Sequence, residues 1–436
     1  MRGLKSTLAL GVVLIGLVAY IYFVDRNRPA SGAPEVKAKA FTVDADQIED
    51  IQIKPATGEA SRVQKINGTW QLVEPEKADA DQGQVSNAAT SLATLEVNRV
   101  VDENPGDLAA YGLNPPKADI AFRVKGGNEE HLLLGEKTAT GSDLYAKTPD
   151  QKRVFLIAAY LDNTFQRTPF DLRDKAVLKF DQSKADGVEI VHVGTTTLAK
   201  MGSDWAVTKP YSARADFAGA EAILTAISSA QMQKIVSNEA KDFGMYGLDK
   251  PDTTVTVMSG STRASLALGK KDGESVYARD LSRPMVFTIP ATTATDLQKD
   301  ASTLRRKDMF DGRSFNTTRV ELKRGNETLT FDKSKDKDGK DVWKNAAGTD
   351  VDAMKVVDML TKLSNIRAQL FQDRVDPVLK LPTLVATLTL DNNMTETVTF
   401  ARNGNAVLAN RGGEPGSATV DVMSFNDAMT AIDAVK

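Results

Sequence analysis

The chain contains no cysteine, which excludes thiol catalysis, disulfide bonds, cysteine-based zinc sites and a lipid-modified N-terminal cysteine. Histidine is scarce as well: His131 and His192 stand in separate sequence contexts, so no histidine-rich metal site or metalloprotease helix can be assembled. Neither sign of charge dominates. The 55 Lys and Arg against 58 Asp and Glu leave no cation surplus to release counterions from a phosphate backbone, so nucleic acid is not an expected partner. There is no glycine-rich phosphate loop followed by Lys-Ser or Lys-Thr, no Rossmann glycine fingerprint and no Gly-x-Ser-x-Gly elbow. No catalytic, cofactor-binding or metal-binding residue is assigned, and no cofactor is expected.

What is present begins with Leu8 to Val24, 17 residues without a charge. With Ser6 and Thr7 they would span about 28 Å as a helix, close to the hydrocarbon thickness of a bilayer. "DRNRP" follows in place of a small-residue cleavage site, so an uncleaved anchor is expected, with Tyr20, Tyr22 and Phe23 at its interfacial end. The charges closest to the span favour the short tail in the cytoplasm and the bulk of the chain outside it. Residues 1–28 are thus read as tail and anchor, and the Pro-, Ala- and Gly-rich residues 29–40 as a linker.

At 436 residues the chain is too long for one ordinary domain, and the three tryptophans show how it divides. Trp205 lies 135 residues after Trp70, and Trp343 lies 138 after Trp205, each just behind a turn signal: Asn67-Gly68, Gly202-Ser203 and Asp338-Gly339. Each tryptophan therefore opens the second strand of a hairpin, as a core residue. "DLAAYGLNPP" (107–116) returns as "DFGMYGLDKP" (242–251), "LLLG" ending at Gly135 as "LALG" ending at Gly269, Tyr145-Ala146 as Tyr277-Ala278, and "LRDK" from Leu172 as "LRRK" from Leu304. Between tryptophan and the Tyr-Gly-Leu box, helical stripes recur: Val85, Ala88, Ala89, Leu92 and Leu95; then Ala220, Ile223, Leu224, Ile227 and Met232; then Val356, Leu360, Leu363 and Ile366. Alternating strands follow each box, then a short helix. The expected fold is α+β: three tandem, mostly antiparallel repeats at 41–182, 183–314 and 315–436. The third is divergent, with Pro377-Val378-Leu379 at the box position and no "LRDK" equivalent before Lys436.

The box reads as a helix stop: glycine supplies a left-handed residue, leucine folds back, and proline forbids continuation. A ligand loop around Tyr111 and Tyr246 is the functional alternative. "SKDKDGKD" (334–341) has Asp336, Asp338 and Gly339 at calcium-loop spacing, but Ser334 opens it and Asn345 stands where the bidentate Glu belongs, so a charged hairpin turn is expected. Glu129-Glu130 alternate across a strand and make no dyad. The basic boxes, with Arg173, Asp174, Lys175, Arg305, Arg306 and Lys307, either bind anions or form salt-bridged junctions between repeats; junctions are the reading adopted.

The anchor, the tryptophan hairpins, "YGLNPP" and "YGLDKP", "LLLG" and "LALG", "LYAK" and "VYAR", and "LRDK" and "LRRK" together resemble the bacterial domain-of-unknown-function 4340 family. The resemblance covers most of residues 41–314. It implies an envelope protein encoded beside ABC-type transporters of the gliding-motility type, with an accessory role, and it brings no catalytic residues. The expectation is a non-enzymatic, membrane-anchored scaffold whose partners are ABC-type transporter subunits. The alternative is an envelope ligand-binding protein or a hydrolase with a dispersed site. A large cleft with convergent polar groups would favour the alternative, and packed repeat interiors the scaffold.

Overall fold

The computed structural model describes residues 37–435, so the expected tail and anchor, and most of the expected linker, lie outside the described residues. No helix among the described residues is long and apolar enough to cross a membrane. The chain divides into two compact units, one up to Asp174 with the first repeat and one from Lys175 with the second and third.

The first repeat has nine strands: β1 (Ile48–Pro55), β2 (Ser61–Ile66), β3 (Thr69–Glu74), β4 (Ala78–Asp79), β5 (Arg99–Asp102), β6 (Ala118–Val124), β7 (Glu129–Lys137), β8 (Asp143–Lys147) and β9 (Val154–Ala158). They form one sheet in the order β4-β3-β2-β1-β6-β7-β8-β9-β5, with every neighbour antiparallel. The second and third repeats form sheets of the same order. An α+β, three-repeat fold results, as the marker spacing implied. Alternation in sequence becomes alternation in burial: Val63 in β2 and Trp70 and Leu72 in β3 point into the core, with half-exposed or exposed neighbours between.

Each sheet packs one face against a helix. In the first repeat α1 (Gln82–Ala93) is capped by Asp81, whose side chain accepts from the Gln84 amide, and α2 (Leu161–Phe165) and α3 (Pro169–Leu172) follow the last long strand. The second repeat has α4 (Phe217–Ser229), capped by Asp216, then α5 (Ala291–Leu297) and α6 (Ala301–Leu304). The third has α7 (Ala353–Ser364), capped by Asp352, and then the single long α8 (Val422–Val435). The expected stripes are buried, but Leu95, Met232 and Ile366 lie past the helix ends. There the chain turns beside the segment that leads into each repeat: Ala40 N–H donates to Leu95 O, Met232 N–H to Lys175 O, and Met309 N–H to Ile366 O.

Those lead-in segments move the repeat boundaries toward the N-terminus. Ala38 and Ala40, expected in the linker, bond Val97 and Leu95. Met309 and Phe310, expected at the end of the second repeat, are buried in the core of the third. The periodic markers do not show this, because the pairing is backbone to backbone and Met309 and Phe310 stand outside any repeating apolar pattern.

Trp70, Trp205 and Trp343 are all core residues. The Asn67-Gly68 turn has both residues at positive φ, as a two-residue hairpin needs. "SKDKDGKD" is a charged hairpin turn: Asp336 accepts from the Asp338 and Lys340 amides, and Asp341 pairs with Lys333 and Lys335.

Candidate functional site

The Tyr-Gly-Leu boxes are single 3-10 turns, Ala109–Tyr111 and Gly244–Tyr246, closed by Gly112 at φ 66° and Gly247 at φ 70°. Leu113 N–H returns to Leu108 O and Leu248 N–H to Phe243 O, so the stop is built as the sequence implies. The boxes also dock on the sheet. A methyl group added at Gly135 or Gly269 would overlap the carbonyl oxygen of Tyr111 or Tyr246, and both glycines sit where the strand register slips. Tyr111 packs edge-on against Tyr145 with ring centres 5.1 Å apart, and Tyr246 lies tilted against Tyr277 at the same spacing. Burial raises the Tyr111 phenol pKa, and Asp102, which accepts from its hydroxyl at 3.2 Å, raises it further.

The third repeat explains the pairing by exception. Strand register puts Ala401 in the place of Gly135 and Gly269 and Leu408 in the place of Tyr145 and Tyr277. With a methyl group there and no slip in register, a Tyr-Gly-Leu turn has no room, and Leu379 packs on Ala401 and Leu408. The box is therefore a docking part with a capping and a packing reason for each residue. Tyr111→Phe removes one half-exposed hydrogen bond and is expected to cost under about 1 kcal/mol in a denaturant melt. Loss of a cellular function at unchanged stability would instead favour the ligand loop.

The basic boxes form salt-bridged contacts. Arg173 is buried against Glu76. Arg305 donates to Glu414 Oε2 from Nη2 at 2.8 Å and to Pro415 O from Nη1 at 3.0 Å, and lies 4.1 Å over the Phe371 ring. Arg214 bridges Glu414 (2.6 Å) and Asp311 (2.7 Å), Arg306 reaches Asp311 (3.1 Å), and Arg411 bridges Glu396 (2.6 Å) and Asp311 (3.1 Å). Arg305 and Glu414 are only 5% and 8% exposed at their side chains. Space among these groups amounts to about 10 Å³, room for one water at most. No phosphate-sized anion fits at Arg305, whose donors are already engaged. Lys307 is exposed and contributes its carbonyl to the Ala368 amide.

Burial pushes the Glu414 carboxyl up, but Arg214 and Arg305 outweigh it and hold the group below its ordinary value of 4.5. Asp311 is likewise lowered, with Arg214, Arg306 and Arg411 overcoming burial.

One opening was not foreseen in the sequence. A pocket of about 600 Å³ in the second unit is walled by His192, Val193, Tyr211, Lys299, Asp300 and Asp373, among others. His192 Nδ1 faces Thr253 Oγ1 at 2.9 Å and Asp252 O at 3.2 Å, and Gln298 donates to the same Thr253 oxygen. Burial raises the Tyr211 phenol pKa, and Asp373 and Asp300 add to the rise against Arg305. Asp300 caps α6 through the Thr303 amide and accepts from Ser302. The wall can hold a molecule by hydrogen bonds and apolar contact. His131 lies in the other unit, on β7 against Asp119 at 2.8 Å, and no group of metal-ligating residues occurs among the described residues.

No curated protein matches the chain. Solved structures of a DNA polymerase sliding clamp and of a griselimycin-bound DnaN sliding clamp, both from Pseudomonas aeruginosa, align over 86% and 88% of this chain and 91% and 93% of theirs. Identity is 9% for both and the TM-scores are 0.16 and 0.15, which carry no argument. The family described as "Domain of unknown function (DUF4340)" matches residues 70–202 and 205–384. That match takes in all three tryptophans, both boxes and the basic junction segments, and the chain belongs to the DUF4340 family.

Proposed function

We propose that this protein is a non-enzymatic scaffold, anchored in the bacterial inner membrane by Leu8 to Val24, whose periplasmic repeats hold subunits of an ABC-type transporter complex. The observation that supports this most is the charge network around Glu414. It ties the edge of the second repeat to a loop of the third, so the surfaces of those two repeats are presented in one fixed relation, as a holding protein requires. The family resemblance supplies the transporter. Gentle crosslinking and affinity purification of the full chain from membranes should recover ABC-type subunits; recovery of none overturns the reading. A reporter active only outside the cytoplasm, fused after Lys436, should be active, and the mature protein should retain its N-terminus. Activity of a cytoplasm-only reporter at that position would refute the orientation.

The His192 pocket favours a second reading, a ligand-binding envelope protein, because its volume suits a small molecule and its wall is part polar and part apolar. Lys299→Glu with Val193→Asp would separate the two: it should leave membrane partners in place if the protein is a scaffold.

A further inference from the structure

The strand edge beside each tryptophan hairpin is covered in two repeats and, among the described residues, uncovered in the third. In the first repeat the Asp81 amide donates to Leu172 O at 2.8 Å and the Asp174 amide to Asp79 O at 2.9 Å, with Arg173 opposite Ala80. In the second the Asp216 amide donates to Leu304 O at 2.7 Å and the Arg306 amide to Arg214 O at 2.9 Å, with Arg305 opposite Ala215. Each cover is an extended Leu-Arg segment. The leucine is buried, the arginine finds a carboxylate, and α3 or α6 brings the segment in over the hairpin.

In the third repeat Trp343 pairs with Val351 and Lys344 with Asp350, which places Asp350, Val351 and Asp352 in register with Asp79, Ala80 and Asp81. Among the described residues no backbone group bonds the Asp352 amide or meets Asp350 from the outer side. Here α8 packs on α7, whereas α3 and α6 contact the tryptophan strands of the other repeats. A groove of about 380 Å³ is left, walled by Leu329, Phe331, Ala347, Val351 and Val435. Val351 is half-buried, whereas Ala80 and Ala215 are buried.

The geometry points to this edge as the site where a partner protein adds an extended strand carrying an aliphatic residue followed directly by a basic one. Strand addition to an open edge supplies main-chain hydrogen bonds, and side-chain pockets choose the sequence. The first repeat is the precedent: its Asp79-Ala80-Asp81 edge receives Leu172-Arg173, with Arg173 on Glu76, and the third offers Asp350-Val351-Asp352. Leu172-Arg173 and Leu304-Arg305 are already engaged within the chain, so the strand comes from another protein and not from a second copy. The inference rests on the scaffold reading for the partner's being a protein, and its test needs no transporter.

A labelled peptide of residues 168–177, "TPFDLRDKAV", titrated into the full-length protein in detergent should bind saturably. Replacing its leucine by aspartate and its arginine by glutamate should weaken binding at least about tenfold. Ala347→Trp, which fills the groove, and Asp350→Lys, which reverses the edge charge, should each do the same; both residues are exposed, and thermal melting checks that the variants stay folded. Absence of saturable binding, or binding indifferent to both variants, overturns the inference. So does a concentration-dependent dimer abolished by Ala347→Trp, because a second copy would then occupy the edge. Peptide binding without recovery of ABC-type subunits would leave this inference standing and remove the transporter reading.

Discussion

Gly269→Ala is expected to destabilise the second unit by about 3 kcal/mol, measured as a shift of the denaturant midpoint, because overpacking against a fixed backbone costs this much. The added methyl group meets the carbonyl of Tyr246, which cannot swing aside, and also closes on Leu248 Cγ and Cδ2 at 3.1 Å. Gly247→Ala should cost less, about 1 to 2 kcal/mol, from its left-handed backbone and from the Lys270 side chain 2.8 Å away. The control lies in the same molecule: Ala401 occupies the corresponding strand position of the third repeat, where no such turn docks. Ala401→Gly should therefore cost only the loss of a small buried side chain and added strand entropy, about 1 kcal/mol. If Gly269→Ala and Ala401→Gly had equal effects, the docking account of the box would be wrong.

The helix stop at Tyr111-Gly112-Leu113 was legible because its grammar is local: a left-handed residue, a returning leucine and a proline within ten positions. The glycine of "LLLG" served only as a spacing marker, since its reason is a backbone 24 residues earlier arriving at contact distance. The tryptophan spacing marks three repeats because duplication preserves core residues, and the stripes of α1, α4 and α7 are legible for the same reason, except that their last members, Leu95, Met232 and Ile366, lie past the helix ends. The lead-in segments are not legible because they join the next repeat by backbone pairing and by isolated core residues, such as Met309 and Phe310, that stand in no periodic pattern. The basic boxes were read as junctions from charge alone, but the partner of Arg305 stands 109 residues downstream in a glycine-rich turn. Nothing local marks Glu414 as a buried carboxylate. The His192 pocket was equally silent, being assembled from a hairpin tip, a helix cap and a residue of the third repeat.

Glu414→Ala is expected to destabilise the second unit strongly. It strands Arg305 and Arg214 in a setting where breaking a buried pair costs about 3 to 5 kcal/mol. Arg305→Met together with Glu414→Met should cost less than Glu414→Ala alone, because no charge is then left buried without a partner. The same network sets an acid limit. The Glu414 and Asp311 pKa values are lower in the folded protein than in the unfolded chain, so the stability they contribute is present above the ordinary carboxylate range. It is lost as the pH falls below about 4.5 and through the lowered folded values. Unfolding of the second unit, followed as a function of pH, should steepen in that window, and Glu414→Gln should flatten it. The truncation that would most simply test the scaffold, removal of residues 315–436, is compromised by this network. It would expose Met309 and Phe310 and leave Arg214 and Arg305 without Glu414, so such a fragment should melt well below the intact protein. Partner loss on that deletion would then report instability, and the point variants are the decisive test: Glu414→Gln should loosen the two repeats and reduce recovery of membrane partners while each repeat keeps its core. Recovery unchanged in Glu414→Gln, with the acid transition flattened as expected, would show that holding a partner does not depend on the fixed relation between the repeats.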